Sequence, residues 1–196
     1  MTRKLIEVAL PLEAISAASR RDKDRKTGTI KNVHKWFAPM PTPAWRALLF
    51  ASIVDDPGSD EERQTLLDLI TDLVGVDGEL PTTAVLKRAR EAMGAAGPLP
   101  TVMDPFCGGG STIVEAQRLG LAGVGSDLNP VPVLIAKVLC ELLPAIAGRP
   151  PLVGAEYLEG TGGPLEGFFA DLRHYAGLVQ AQAWERVGDL YPTIGN

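Results

Sequence analysis

The sequence predicts an α/β fold: a parallel strand–turn–helix–strand unit in the second half, preceded by a mainly helical region. Three observations carry this expectation. Thr101-Val-Met103 and Leu121-Ala-Gly-Val-Gly125 are short apolar segments of the kind found in buried strands. Between them, Asp104-Pro-Phe-Cys-Gly-Gly-Gly110 turns the chain, and Ser111–Leu119 suits a short helix stopped by Gly120. Upstream, Leu66, Leu69, Ile70 and Leu73 follow the i, i+3, i+4, i+7 spacing of an amphipathic helix. The division this suggests is residues 1–99 as a helical region and 100–196 as the first part of a ligand-binding α/β domain.

The elements follow in order. Pro11 to Ser19 reads as a helix with Pro11 near its first position. Thr29 to His34 leans towards a short strand or extended loop. Thr42-Pro43 reads as an N-cap and first residue opening a helix to about Val54. Asp55-Asp-Pro-Gly-Ser-Asp60 is a turn, followed by helices over Glu61–Val74 and about Thr82–Met93, the latter ending at Gly94. Ala95 to Pro100 links them to the first strand. After the second strand, Asn129 caps a helix with Pro130 at its first position. That helix is expected to run over Val131–Leu143, with Ile135, Val138, Leu139 and Leu142 as its core stripe and Pro144 as its stop. Pro164 opens a last helix with Leu165, Phe168, Phe169 and Leu172 on one face.

The strand–glycine–helix unit is a ligand cradle at the carboxyl end of a parallel strand. Gly108, Gly109 and Gly110 carry no Cβ, so the backbone can pass close to a bound group. Ser111 and Thr112 are good N-cap types. A phosphate loop needs a Lys after the glycines, and none is there. A dinucleotide fingerprint needs a third glycine three residues after Gly110, where Ile113 stands. Asp104, at the end of the strand, would repel a pyrophosphate and suits a ligand with an ammonium or hydroxyl groups. S-adenosylmethionine fits, with its ammonium, its cationic sulfur and a carboxylate that can lie against backbone N–H groups. Asp127 ends the second strand about 20 residues past the glycines, where a ribose is gripped.

Asp104-Pro-Phe-Cys-Gly-Gly-Gly-Ser-Thr112 resembles the first motif of S-adenosylmethionine-dependent amino-methyltransferases, and Ser126-Asp-Leu-Asn-Pro130 resembles their second. Arg3 to Ile15 and His34-Lys-Trp-Phe-Ala-Pro39 are similar to the start of bacterial adenine-specific DNA methylases that carry a zinc ribbon further along. The resemblance runs loosely from residue 3 to about residue 191. It implies a Rossmann-like methyltransferase fold, incomplete here, with S-adenosylmethionine as cofactor. It implies a cofactor site made of Asp104, Pro105, Phe106, Cys107, Gly108, Gly109, Gly110, Ser111, Thr112, Asp127, Leu128 and Asn129. It adds Trp36, Phe37 and Pro39 as walls around the methionine end, where an aromatic face suits the sulfur cation. The family shows a second Trp and two arginines where this chain has Phe37 and Pro39-Met40, so the arginines' role does not carry over.

Two further features bound the function. Amino-methyltransferases carry Asp or Asn, then Pro-Pro, then an aromatic that stacks on the flipped base. The one Pro-Pro here, Pro150-Pro151, lies between Arg149 and Leu152 and is a different sequence. Two strands also fall short of the roughly 5–6 of an average sheet. No catalytic residue is therefore assigned. The chain is expected to be the cofactor-binding N-terminal part of a DNA adenine-N6 methyltransferase, with the rest of the domain beyond Asn196, or a truncated gene product. The competing readings are part of an RNA guanine methyltransferase, which shares the Asp-Pro-Phe-Cys-Gly motif, and a non-catalytic cofactor-binding module.

Composition sets the remaining limits. No apolar run approaches the roughly 18 residues of a membrane span, no signal-peptide core opens the chain, and Cys107 and Cys140 lack zinc-ligand spacing. These point to a soluble, cytoplasmic protein without a metal. The net charge of −5 argues against a generally basic nucleic-acid binder. Its distribution is uneven: residues 1–35 hold nine Lys and Arg against four Asp and Glu. The densest cluster, Arg20-Arg-Asp-Lys-Asp-Arg-Lys26, suits either a phosphate backbone or a solvated helix end. Trp45, Cys140 and His34 read as structural residues.

Overall fold

The computed structural model describes residues 3–27, 34, 36, 37, 40–76, 78–95, 97–152 and 163–191. They form a mostly helical α/β structure with two short parallel strands. The chain divides into two compact units, Met1–Glu141 and Leu142–Asn196. The first holds both the N-terminal helices and the strand–glycine–helix–strand segment.

Among the described residues four α-helices precede the strands: α1 (Leu12–Asp24), α2 (Thr42–Ile53), α3 (Asp60–Val74) and α4 (Thr83–Ala95). Pro11 is the N-cap of α1 rather than its first residue, and the helix continues past Ser19 through the charged cluster. In α2 the start also moves by one residue. Pro41 is the N-cap and Thr42 is already helical, so Pro43 takes the second position, where a missing N–H is still harmless. Ser59 caps α3 by accepting the Glu62 N–H at 3.3 Å, while its hydroxyl donates to the Glu62 carboxylate at 2.8 Å. Leu69, Ile70 and Leu73 are buried as their spacing predicts. They join Leu5, Phe50, Met93, Ala116 and Leu119 in one core. The segment Thr29–Val33 lies outside the described residues.

β1 (Val102–Asp104) and β2 (Gly123–Gly125) pair in parallel, with Met103 opposite Val124 and Asp104 opposite Gly125. α5 (Ser111–Arg118) connects them, as the strand–glycine–helix–strand pattern predicts. Its end closes as a Schellman motif: Gly120 at φ 85° donates to the Gln117 carbonyl and Leu121 to that of Ala116. Arg90 of α4 donates to the Arg118 and Leu119 carbonyls at 2.8 and 3.3 Å, putting a cation at the negative end of α5.

The segment after β2 departs from expectation. Instead of one helix over Val131–Leu143, α6 (Pro130–Lys137) passes into a π turn at Val138–Leu142 and then α7 (Leu143–Ile146). Pro144 does not stop the helix. It occupies the first turn of α7, where its lack of an N–H is tolerated. Ile135, Val138 and Leu139 are half-buried and Leu142 is exposed, so the expected stripe is only partly covered.

In the second unit, α8 (Glu166–Val187) opens after Leu165. Phe168, Phe169 and Leu172, expected on one face of this helix, are exposed. The buried positions are Gly167 and Ala170. Gly167 lies against the Arg149 carbonyl, an approach that a side chain would block. No helix among the described residues is long and apolar enough to cross a membrane.

Candidate functional site

The cradle is built from two carboxylates at the ends of neighbouring parallel strands. Asp104 ends β1. One of its oxygens accepts the Phe106 N–H at 3.1 Å and the other accepts the Thr112 hydroxyl at 2.6 Å. Asp127 follows β2. One oxygen accepts the Gly108 N–H at 3.0 Å and the other the Asn129 N–H, also at 3.0 Å. The two acids therefore tie the glycine turn to the helix start on one side and to the second strand on the other. Backbone bonds complete the frame, from the Cys107 N–H to the Ser126 carbonyl and from the Ser126 N–H to that of Asp104.

One local expectation is corrected here. Thr112 does not cap α5. The N-cap is Gly110 at φ 84°, and Thr112, the second residue of the helix and buried, spends its hydroxyl on Asp104. At Gly110 the bare Cα has a packing reason. A Cβ there would lie 2.7 Å from the Ala136 Cβ, so its bareness lets α6 pack against the turn. Gly108 is closer to the expected role. It has φ 49°, and a Cβ would meet the Trp36 indole at 3.4 Å, so Trp36 lies over the turn.

These groups face one cavity of about 1180 Å³. Of the residues singled out from the sequence, Asp104, Phe106, Cys107, Gly108, Gly109, Ser111, Thr112, Asp127, Trp36 and Phe37 line it. Pro105, Gly110, Leu128 and Asn129 are not among its walls. Leu128 is fully exposed, and Asn129 caps α6 by accepting the Val131 N–H at 2.9 Å. Pro39 lies outside the described residues. Trp45, expected in the core, is half-buried and belongs to the wall. His34 also lines the cavity, as do Thr42, Ile135, Leu139 and residues 22–26 of the α1 end. Ile135 and Leu139 were legible only as a helix stripe, since spacing does not say whether an apolar face meets a core or a cavity.

The cavity's thiol is held towards its neutral form. Burial, then the Asp104 and Asp127 charges, push the Cys107 thiol up. Burial likewise pushes Cys140, half-buried rather than in the core, up to about 11. Both stay protonated at neutral pH, and no His, Cys, Asp and Glu cluster suited to a metal occurs among the described residues.

Under the cradle lies a fully buried ion pair. Arg46 of α2 places its Nε 2.9 Å from the Glu115 carboxylate of α5. That contact is close but poorly aligned, so neither Arg46 Nε nor the Glu115 oxygens form a proper hydrogen bond. The guanidinium instead donates to the Leu73 carbonyl at 2.7 Å. Burial lowers the Arg46 pKa and raises that of Glu115, while mutual attraction opposes both shifts. Asp22 of α1, also buried, adds its charge to the group. Position 115 on a short amphipathic helix gave no sequence signal for this pairing.

The geometry fits a small ligand with hydroxyls and a cationic centre. Each Asp127 and Asp104 oxygen has accepted one bond and keeps a lone pair for another. The first N–H groups of α5 have no acceptor within the helix. Trp36 presents an aromatic wall beside the turn.

A family model described as a protein of unknown function (DUF1156) matches residues 9–69, which span α1, α2 and part of α3 but stop short of the cradle. No curated protein and no solved structure matches the chain.

Proposed function

We propose that this chain binds S-adenosylmethionine in the cavity above β1 and β2 and is the cofactor-binding part of a DNA adenine-N6 methyltransferase with a Rossmann-like fold. One observation carries the cofactor reading. Two strand-end carboxylates, Asp104 and Asp127, hold a glycine turn between them and open on a cavity walled by Trp36. In this reading Asp127 accepts hydrogen bonds from the ribose hydroxyls. Asp104 faces the ammonium of the methionine end, and Trp36 lies beside the sulfur cation. Bound there, the cofactor would supply a methyl group on a positively charged sulfur. The chain's own residues would bind and orient it and exclude water. The adenine target rests on the likeness of the Asp104–Thr112 and Ser126–Pro130 motifs to those of amino-methyltransferases.

The test is calorimetry with S-adenosylmethionine. Asp127→Ala is expected to weaken binding by roughly 1.5–3 kcal/mol, the range for hydrogen bonds to a charged group. Asp127 also accepts the Gly108 and Asn129 N–H groups, so thermal unfolding is measured in parallel. Reduced stability with unchanged affinity would leave Asp127 as a clamp on the turn and remove the ribose role. Failure of the parent chain to bind the cofactor would end the reading altogether.

A further inference from the structure

The cavity has walls that cofactor binding leaves unused. Its volume exceeds the roughly 300–1,000 Å³ usual for a site holding one small ligand, which leaves space for a second reactant. The unused walls include the end of α1, with Lys23, Asp24, Arg25 and Lys26. Asp22 in that stretch is buried, and its charge acts on the Arg46–Glu115 pair. The exposed balance is thus Asp24 against three cations. Arg25 donates to the Gly78 carbonyl at 3.5 Å. Lys23 and Lys26 are exposed and form no salt bridge among the described residues.

The aromatic pair ahead of α2 divides between two surroundings. Trp36 lies over Gly108, whereas Phe37, edge-on to it at 5.4 Å, is 85% exposed while lining the same cavity. An exposed aromatic ring and exposed ammonium groups on one cavity match the two parts of a nucleotide in a strand. Ammonium groups neutralise the phosphate, and the ring stacks on the base whatever its identity.

We propose that Lys23, Lys26 and Phe37 receive one nucleotide of a polynucleotide strand, its phosphate at the lysines and its base against Phe37. This rests on the methyltransferase reading only for why a base should lie beside the cofactor. The binding itself stands on the cavity wall. The same lysines near the end of α1 also suit the negative end of the helix dipole, a purely structural role that would affect stability and not strand binding.

The experiment measures anisotropy of a labelled mixed-sequence oligodeoxynucleotide, and of the RNA of the same sequence, with the full chain over a salt series. Charge reversal in K23E/K26E is expected to cost at least about tenfold in affinity. The milder K23Q/K26Q should reduce the slope of log affinity against log salt by about 0.7, the value for one phosphate contact on a single strand. F37A should lose roughly fivefold to a hundredfold, as for removal of one stacking platform. Calorimetric affinity of K23Q/K26Q for S-adenosylmethionine should match the parent. Whichever strand binds tighter identifies the source of the nucleotide. Strand affinity and salt slope unchanged in K23E/K26E would overturn the proposal, as would a lower melting temperature as the sole effect. A parent chain that binds the strand through these lysines but not the cofactor would remove the methyltransferase reading and leave this site standing. The reverse result would do the opposite.

Discussion

The two sides of the strand–helix–strand segment are held very differently. On the helix side, Ala116 and Leu119 of α5 enter the common core, Glu115 meets Arg46, and Ile113 packs beneath Gly123 and Gly125. On the opposite face of the sheet, Met103 and Val124 stand opposite each other, 75% and 52% exposed. The strands are three residues long and pair only with each other among the described residues. A two-stranded sheet of that size has marginal stability by itself. The cradle is therefore shaped by what lies under α5, and the sheet follows the helices.

That contrast breaks most visibly at the buried ion pair. Arg46→Ala leaves the buried Glu115 carboxylate with only the longer Arg118 contact at 3.7 Å, and denaturant unfolding should show a loss of up to about 3–5 kcal/mol. The double change Arg46→Met with Glu115→Leu should recover part of it: both charges of the pair are gone, while Asp22 stays buried and Arg118 loses its Glu115 contact. A single Arg46 variant as stable as the parent would mean the helix side does not carry the cradle.

Gly110→Ala tests the same side at the turn. The added Cβ would lie 2.7 Å from Ala136, in a backbone conformation that side chains disfavour. Overpacking alone costs about 1–3 kcal/mol, and the left-handed backbone adds roughly 1–2 kcal/mol. Affinity for S-adenosylmethionine, the proposed cofactor, should fall as well in the folded fraction, since α6 and the turn move apart. A stability within error of the parent would contradict the close packing of α6.

Asp104→Ala sharpens the comparison at the sheet's end. The Thr112 hydroxyl loses its acceptor in a largely buried place, with an expected cost of about 1–3 kcal/mol in thermal unfolding. Thr112→Val should then add little on that background, because the two residues share one bond. Full additivity in the double-mutant cycle would refute the coupling.

The smallest effect belongs to the open face. Met103→Thr or Val124→Thr should change stability by no more than about 0.5 kcal/mol, as for surface positions without special contacts. A loss of several kcal/mol in the same chain at the same concentration would show that this face is covered in solution.

Much of the first unit was legible without coordinates. Helix periodicity placed Leu69, Ile70 and Leu73 in the core, because a 3.6-residue period marks the face that must leave water. Two apolar segments around a glycine turn and a helix of one crossover's length predicted adjacent parallel strands. Asp104, Asp127 and Trp36 were singled out from residue type and position, and they meet at one cavity. Their functional role remains the proposal made above.

Other features needed the tertiary structure, for reasons that are local in each case. Thr112 has the chemistry of a cap, yet an acceptor eight residues back in the chain took its hydroxyl. Pro144 has the chemistry of a stop, yet a π turn ahead of it let the chain begin a new helical turn. Trp45 is apolar enough for the core, and only the space in front of it made it a wall. The Arg46–Glu115 pair joins residues far apart in sequence. Sequence alone determined which residues carry charge, bareness or apolar surface, because these are properties of single side chains and short periods. The tertiary structure decided which of them face each other, because desolvation and close approach depend on partners that no local pattern specifies.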